Sequence, residues 1–243
     1  MATLCRNCPI RKRRIFAPMT RREVAFMERF KAGEMSVDAG TTLLIEGSNS
    51  PQLFTVLSGM GLRYKTMPEG RRQVVNFVLP GDFVGLQAGV MREMQHSVEA
   101  STPMRLCVFR RDELWSLFRD HPERAFDLTW LAAVEEHFLG ESLAALGQLD
   151  AIERIARAFV KFHDHGQALD LVTGGEMRLP YTQQDLADAL GLSVVHTNKT
   201  LRKLRDQQVA SWQNGKLRVL SYERLCDLGQ LDPERVPLQR PLI

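Results

Sequence analysis

No stretch of this 243-residue chain approaches the ~18 consecutive apolar residues that a membrane-crossing helix requires. The first residues are charged rather than apolar, so a secretory signal is not expected either, and the reading is of a cytoplasmic protein without a membrane partner. The local signatures of catalysis are also missing: there is no GxSxG, no HExxH and no phosphate-binding loop. Six histidines are scattered along the chain, and His163-x-His165 reads as a solvent-facing pair at a helix end rather than a metal pair. An enzyme is therefore not expected. No period of 20 to 50 residues repeats, which excludes solenoids and propellers. A large excess of one charge is lacking too, because the net charge is only +3. That charge is unevenly spread, however. Residues 1–31 carry nine basic and two acidic side chains, whereas residues 32–179 carry fourteen and twenty. An acidic middle argues against a binder of nucleic acid over its whole surface and for a separate sensing or dimerising module. The run Arg11-Lys12-Arg13-Arg14 reads as a solvated arm, or else as a source of sequence-independent phosphate attraction.

What is present is concentrated between Tyr181 and Leu220. Thr182 stands three residues before Asp185, a capping-box-like helix start, and Leu186, Ala187 and Leu190 form a short apolar face. Gly191 supplies a tight turn and Ser193 caps a second helix. In that helix Val194, Leu201 and Leu204 recur on the packing side, while His196, Thr197, Asn198, Lys199, Arg202, Lys203 and Arg205 face elsewhere. Two helices joined by a short glycine-containing turn, the second polar and basic, spell a helix-turn-helix whose second helix enters a DNA major groove. Asn214-Gly215 between two short apolar runs then predicts a type I′ hairpin, a wing. Six basic against three acidic residues between Pro180 and Leu220 suit phosphate contacts.

Upstream, short apolar strands separated by Gly, Pro, Asn and Ser run from about Gly40 to Phe109, with a turn at Pro68-Glu69-Gly70, and suggest a small barrel or roll. A short helix from Asp112 to Phe118 ends at the His121-Pro122 step. From Pro122 to Leu149 a long helix carries Leu128, Leu131, Phe138, Leu139, Leu143, Leu146 and Leu149 at three- and four-residue intervals. It is read as a dimer seam, the alternative being a core helix packed on the roll. Asp150 with Glu153 caps a new helix over Ala151–His163, so a hinge is expected there.

This order of parts resembles the Crp/Fnr superfamily of bacterial transcription regulators from about Gly33 to Leu220. The likeness rests on LPGDFVGL at Leu79–Leu86 and on DALGLSVVHTNKTLRKL in the helix-turn-helix. The implied fold is α+β, with a cyclic-nucleotide-binding-like β-roll, a long dimerisation helix and a C-terminal winged helix-turn-helix. The expected divisions are a basic arm at 1–32, the roll at 33–121, the dimer helix at 122–149, the DNA-binding domain at 150–220 and an extension at 221–243. Its Pro-rich end, from Asp232, is expected to be poorly ordered. The resemblance implies a homodimer on a near-palindromic double-stranded operator, in contact with RNA polymerase. By position, base reading falls on Val195, His196, Asn198 and Lys199, and phosphate contact on Thr182, Ser193, Arg202, Lys203 and Lys216. Val195 stands where the family usually has an acidic residue, and Lys199 where it usually has arginine, so a distinct operator is expected.

The effector divides the family. Its cyclic-nucleotide branch carries a Gly-Glu and a downstream arginine; here Gly81-Asp82 and a misregistered Arg92 stand in that region, so cyclic AMP is not the expected ligand. The oxygen-sensing branch holds an iron–sulfur cluster through cysteine thiolates. Cys5-x-x-Cys8 has ligand spacing and Cys107 matches the distal cysteine, but Arg14 occupies the third N-terminal position and Cys226 lies beyond the wing. The alternatives are a cluster with a non-cysteine fourth ligand, a thiol switch between Cys5 and Cys8, or reduced thiols without metal.

Overall fold

Alternation along the strands decides which side chains of the first half of the chain meet in a core. The computed structural model describes residues 3–236 and 239–243; Met1, Ala2, Pro237 and Leu238, which the expected arm and extension include, lie outside them. The described chain divides into two units, Met1–Glu136 with Gln239–Ile243, and His137–Leu238. The first opens with a 3-10 turn at Cys5–Asn7 and helix α1 (Arg21–Phe30). Thr20 starts α1 through a capping box: its hydroxyl accepts from the Glu23 amide, and Glu23 accepts from the Thr20 amide at 2.6 Å.

Eight strands follow: β1 (Lys31–Val37), β2 (Thr42–Leu44), β3 (Gln52–Ser58), β4 (Gly61–Thr66), β5 (Arg72–Val78), β6 (Phe83–Val84), β7 (Ser97–Ala100) and β8 (Met104–Arg110). The short helix α2 (Leu86–Met91) lies between β6 and β7. They form two antiparallel sheets in the orders β1-β8-β3-β6 and β2-β7-β4-β5. Phe54, Val56, Met104, Leu106 and Val108 point inward from the first sheet and meet Leu44, Val78, Val98 and Ala100 from the second. The predicted turn is present, with Gly70 at φ +78° and its amide donating to Met67 O at 2.8 Å.

The odd-numbered residues of β3 and β8 face the other way. Leu53, Thr55, Cys107 and Phe109 are nevertheless buried, because α1 covers this outer face and stacks Phe30 on Phe109 with centroids 5.2 Å apart. Helices α3 (Leu114–Asp120) and α4 (Pro122–Gln148) close the roll. The long helix is present as expected, but Leu128 is fully buried in the first unit and is a core residue there rather than part of an exposed seam.

In the second unit α5 (Ala151–Ala168) is longer than its apolar pattern suggested. It starts at Asp150, whose carboxylate accepts from the amides of Ile152 and Glu153 at 2.9 and 3.0 Å. Strands β9 (Val172–Thr173) and β10 (Glu176–Arg178), helices α6 (Gln183–Leu190) and α7 (Val194–Asp206), the hairpin β11 (Ala210–Gln213) and β12 (Lys216–Val219), and helix α8 (Tyr222–Leu228) complete it. Ile155, Phe159, Leu186, Leu204, Leu217 and Leu225 are buried in its core. Helix α8 belongs to this core: a Cβ on Gly229, just after it, would meet the Arg157 amide of α5 at 2.8 Å. The expected boundary at 220 therefore moves outward. The extension is not a loose appendage at its far end either, since Leu242 and Ile243 are buried in the first unit.

Glu34 on β1 accepts from the Lys31 ammonium at 2.6 Å, Arg105 at 2.9 Å and the Thr3 amide at 2.8 Å, which ties the arm to the roll. Burial opposes its charge, but these donors outweigh burial and hold the carboxyl at about 2 against an ordinary 4.5. A depressed folded-state value means that the stabilisation is complete above pH ~5 and is lost as pH falls toward ~2. In thermal melts over that window Glu34→Gln is expected to start lower at neutral pH and to show a flatter acid limb than the wild type; parallel limbs would remove Glu34 from the account.

Candidate functional site

The helix-turn-helix is built by three local devices. Thr182 and Asp185 exchange bonds across the start of α6, the Asp185 amide to Thr182 Oγ1 at 3.1 Å and the Thr182 amide to Asp185 Oδ2 at 2.8 Å. Gly191 ends α6 at φ 63°, ψ 37°, the left-handed conformation that glycine adopts without strain. Ser193 Oγ then accepts from the His196 amide at 3.2 Å and starts α7.

On α7 the residues Val195, Asn198, Lys199 and Arg202 follow i, i+3, i+4, i+7 spacing and are all exposed, with His196 and Lys203 beside them. Val195 is 66% exposed although apolar. Thr197 behaves differently from the sequence reading. It is fully buried on the packing side with Thr200 and Leu204, and its hydroxyl has no hydrogen-bond partner. Its methyl group lets it serve where the pattern seemed to offer only a polar residue. Ser193 and Thr182 spend their hydroxyls on capping, and both remain at the surface edge of their helices.

The wing has the predicted turn, with Asn214 at φ 51° and Gly215 at φ 69°. Lys216, the expected phosphate contact on it, pairs with Glu176 of β10 at 3.2 Å, and Arg218 pairs with the same carboxylate at 2.6 Å. An open groove of about 450 Å³ separates the wing from the start of α6, lined by Tyr181, Gln183, Trp212, Gln213, Asn214 and Gly215. Trp212 is fixed there by its indole N–H, which donates to Leu179 O at 3.3 Å.

One positioning residue escaped the sequence reading. The Arg154 guanidinium donates to Leu149 O at 2.8 Å, Leu146 O at 2.8 Å and Leu190 O at 3.0 Å. It joins the last turn of α4 to the last residue of α6, directly before the turn at Gly191. Leu146, assigned to the seam, also reaches that turn: its Cδ2 would lie 3.3 Å from a Cβ at Gly191. Phe138 is half-buried with Lys161 Nζ 5.0 Å from its ring centre, and Leu131 is half-buried; Leu139 and Leu143 stay exposed.

The structure brings Cys5, Cys8 and Cys107 to one small cavity of about 30 Å³ on the outer face of the β1-β8-β3-β6 sheet. Burial pushes the Cys107 thiol up to about 12 and also raises Cys5. A cluster on these three thiols needs a fourth ligand. Arg14, at the expected third position, is exposed, and Cys226 is buried in α8 of the other unit. Among the described residues no three His, Cys, Asp or Glu side chains stand close enough to hold a metal ion. As folded, the three thiols share a cavity but do not fit an iron–sulfur cluster.

The candidate effector residues have other uses. A Cβ on Gly81 would meet Phe16 Cζ at 2.1 Å, so this position backs directly onto the arm. Asp82 accepts from the Leu79 amide at 2.8 Å and pairs with Arg240 at 2.8 Å. Arg92 is exposed in the turn after α2, at φ 75°, with its carbonyl facing Arg111.

No helix among the described residues is long and apolar enough to cross a membrane. Residues 34–121 match the cyclic nucleotide-binding domain family, and residues 153–228 match the Crp-like helix-turn-helix domain family. The chain is 30% identical over 227 residues to the transcriptional activator protein FnrL of Cereibacter sphaeroides, covering 92% of this chain and 90% of that protein. It is 23% identical over 236 residues to the anaerobic regulatory protein of Haemophilus influenzae, covering 96% and 91%. The solved structure of FixK2 from Bradyrhizobium japonicum superposes with a TM-score of 0.74 at 25% identity, covering 80% of this chain and 96% of that one. With the roll, the long helix and the winged helix-turn-helix in that order, the chain belongs to the Crp/Fnr family of transcription regulators.

Proposed function

We propose that the protein is a homodimeric, base-selective DNA-binding regulator, working in the cytoplasm on near-palindromic operators beside RNA polymerase, whose output follows the redox state of the N-terminal thiols. The observation that carries the DNA reading is the exposed stripe Val195, Asn198, Lys199 and Arg202 on a capped, well-packed helix. His196 and the first three of these read base edges; Thr182, Ser193, Arg202, Lys203 and Lys216 hold phosphates. Valine offers only apolar contact to a thymine methyl, and lysine reaches guanine N7 or O6 without the arginine fork. Lys216 leaves Glu176 to do its part, a small cost for an exposed pair.

Selection from random DNA tests this assignment. Lys199→Ala is expected to relax preference at one base position by about 1–3 kcal/mol, whereas Arg202→Ala weakens all sites alike and lowers the salt slope by about 1. Unchanged base preference in the Lys199 variant would sink the assignment.

Dimerisation is supported by the apolar residues that α4 leaves in solvent: Val134, Leu139 and Leu143, the last 73% exposed. Two reading helices one turn of DNA apart require such a pairing. Leu143→Glu should sediment as a monomer and bind operator about tenfold or more weakly; a dimeric Leu143→Glu protein would place the seam elsewhere.

For the signal, the shared cavity of Cys5, Cys8 and Cys107 supports thiol chemistry over a cyclic nucleotide, and a relative named for anaerobic regulation agrees with this. Oxidation would join Cys5 to Cys8, the two thiols giving up two protons and two electrons to an oxidant such as a small disulfide. Operator affinity measured on reduced and on oxidised protein is expected to differ, and Cys8→Ser to remove the difference. Equal affinities in the wild type would end the redox reading.

A further inference from the structure

The end of the chain is the part that the DNA-binding reading leaves unused. Residues Gln239–Ile243 follow α8 in sequence but belong to the first unit. They are held there as an element of structure would be. The Arg240 amide donates to Ile15 O at 2.8 Å and the Ala17 amide donates to Arg240 O at 2.9 Å, a parallel bridge to the arm around Phe16. Gln239 Nε2 donates to Arg14 O at 3.3 Å. The Arg240 guanidinium reaches Asp82 Oδ1 at 2.8 Å and Gly81 O at 3.5 Å, with both charged side chains largely buried. Arg124 Nη1 donates to Leu242 O at 3.4 Å, and Thr55 Oγ1 donates to Ile243 O.

The last two side chains go into the cysteine cavity. Leu242 and Ile243 are 5% and 4% exposed and line it together with Cys5, Cys8 and Cys107. Strand register explains the proximity: Thr55 of β3 is the pairing partner of Cys107 of β8, so a residue bonded to Thr55 lies over Cys107. The remaining space, about 30 Å³, is of a size for water rather than for a thiol reagent. Leu242 and Ile243 are therefore among the groups that anything larger would displace on reaching Cys107.

We propose that Gln239–Ile243 is a built-in ligand of the first unit, a plug whose Leu242 and Ile243 close the three-cysteine cavity and whose Arg240–Asp82 pair latches it. Access of a thiol-reactive or thiophilic agent to Cys107 is then set by how often the plug opens, and an agent bound there holds it open. Competition for one space couples the chain's end to the thiols. The proposal deepens the thiol-sensing reading and rests on it for its consequence, though not for its geometry.

The test is the rate at which an aromatic disulfide, Ellman's reagent, modifies each cysteine of the reduced full-length protein, with mass spectrometry assigning the sites. In each event the thiolate forms a mixed disulfide and expels one thionitrobenzoate, the thiol's proton passing to water. Cys226, buried in the other unit, serves as internal reference. In the wild type Cys107 should react slowly. In the double variant Leu242→Asp, Ile243→Asp it should react about tenfold or more faster, while Cys226 keeps its rate. Should both cysteines accelerate, the double variant has loosened the whole fold, and Arg240→Ala decides: it removes only the latch and should speed Cys107 alone. An unchanged Cys107 rate in Arg240→Ala, with Cys107 either unchanged or speeded only along with Cys226 in the double variant, overturns the plug. If Cys107 opens as expected but oxidation leaves operator affinity unaltered in every variant, the plug stands and the redox reading falls.

Discussion

Strand β8 is hydrogen-bonded on both edges, to β1 and to β3, and its two faces serve opposite purposes. Met104, Leu106 and Val108 fill the roll, while Cys107 and Phe109 face α1, the arm and the cysteine cavity. Because strand side chains alternate with a period of two, a slip of one residue would carry Cys107 into the core and expel Leu106. This constraint places the thiol on the outer face whatever else the roll does. It also creates the need for a cover there: an outer sheet face bearing Leu53, Cys107 and Phe109 cannot be left to water, and α1 and the two ends of the chain provide the cover.

The parts that sequence spacing revealed are those whose physics is local. Thr182 with Asp185, Asp150 with Glu153, Gly191, and Asn214 with Gly215 each act within four residues, so their spacing alone carries the message. The parts that stayed hidden depend on partners far along the chain. Arg240 meets Asp82 across 158 positions, Arg154 meets Leu190 across 36, and Lys216 meets Glu176 from another strand. Nothing in a short run ending in Leu-Ile after Pro and Gln distinguishes a buried segment from a solvated one. Thr197 was misplaced for a different reason: its hydroxyl suggested solvent, while its position in the helical period pointed inward.

The division between scaffold and site follows the same line. Buried side chains fix α7 in place from its packing side, among them Thr200, whose hydroxyl bonds back to His196 O at 2.9 Å. The exposed stripe is then free to vary without disturbing the helix that carries it. Val195 and Lys199 lie on this stripe, and since both are exposed a change at either leaves the packing of the helix intact.

Arg154 has an electrostatic side beyond its geometry. Carbonyls at the end of a helix carry the negative pole of its dipole, and here the ends of α4 and α6 converge on a single guanidinium. The two helices therefore share one counter-charge. If the last turn of α4 unwinds or rotates, the cation is redistributed and the terminus of α6 loses part of its neutralisation, so the turn at Gly191 feels the event without any movement of the reading helix to announce it.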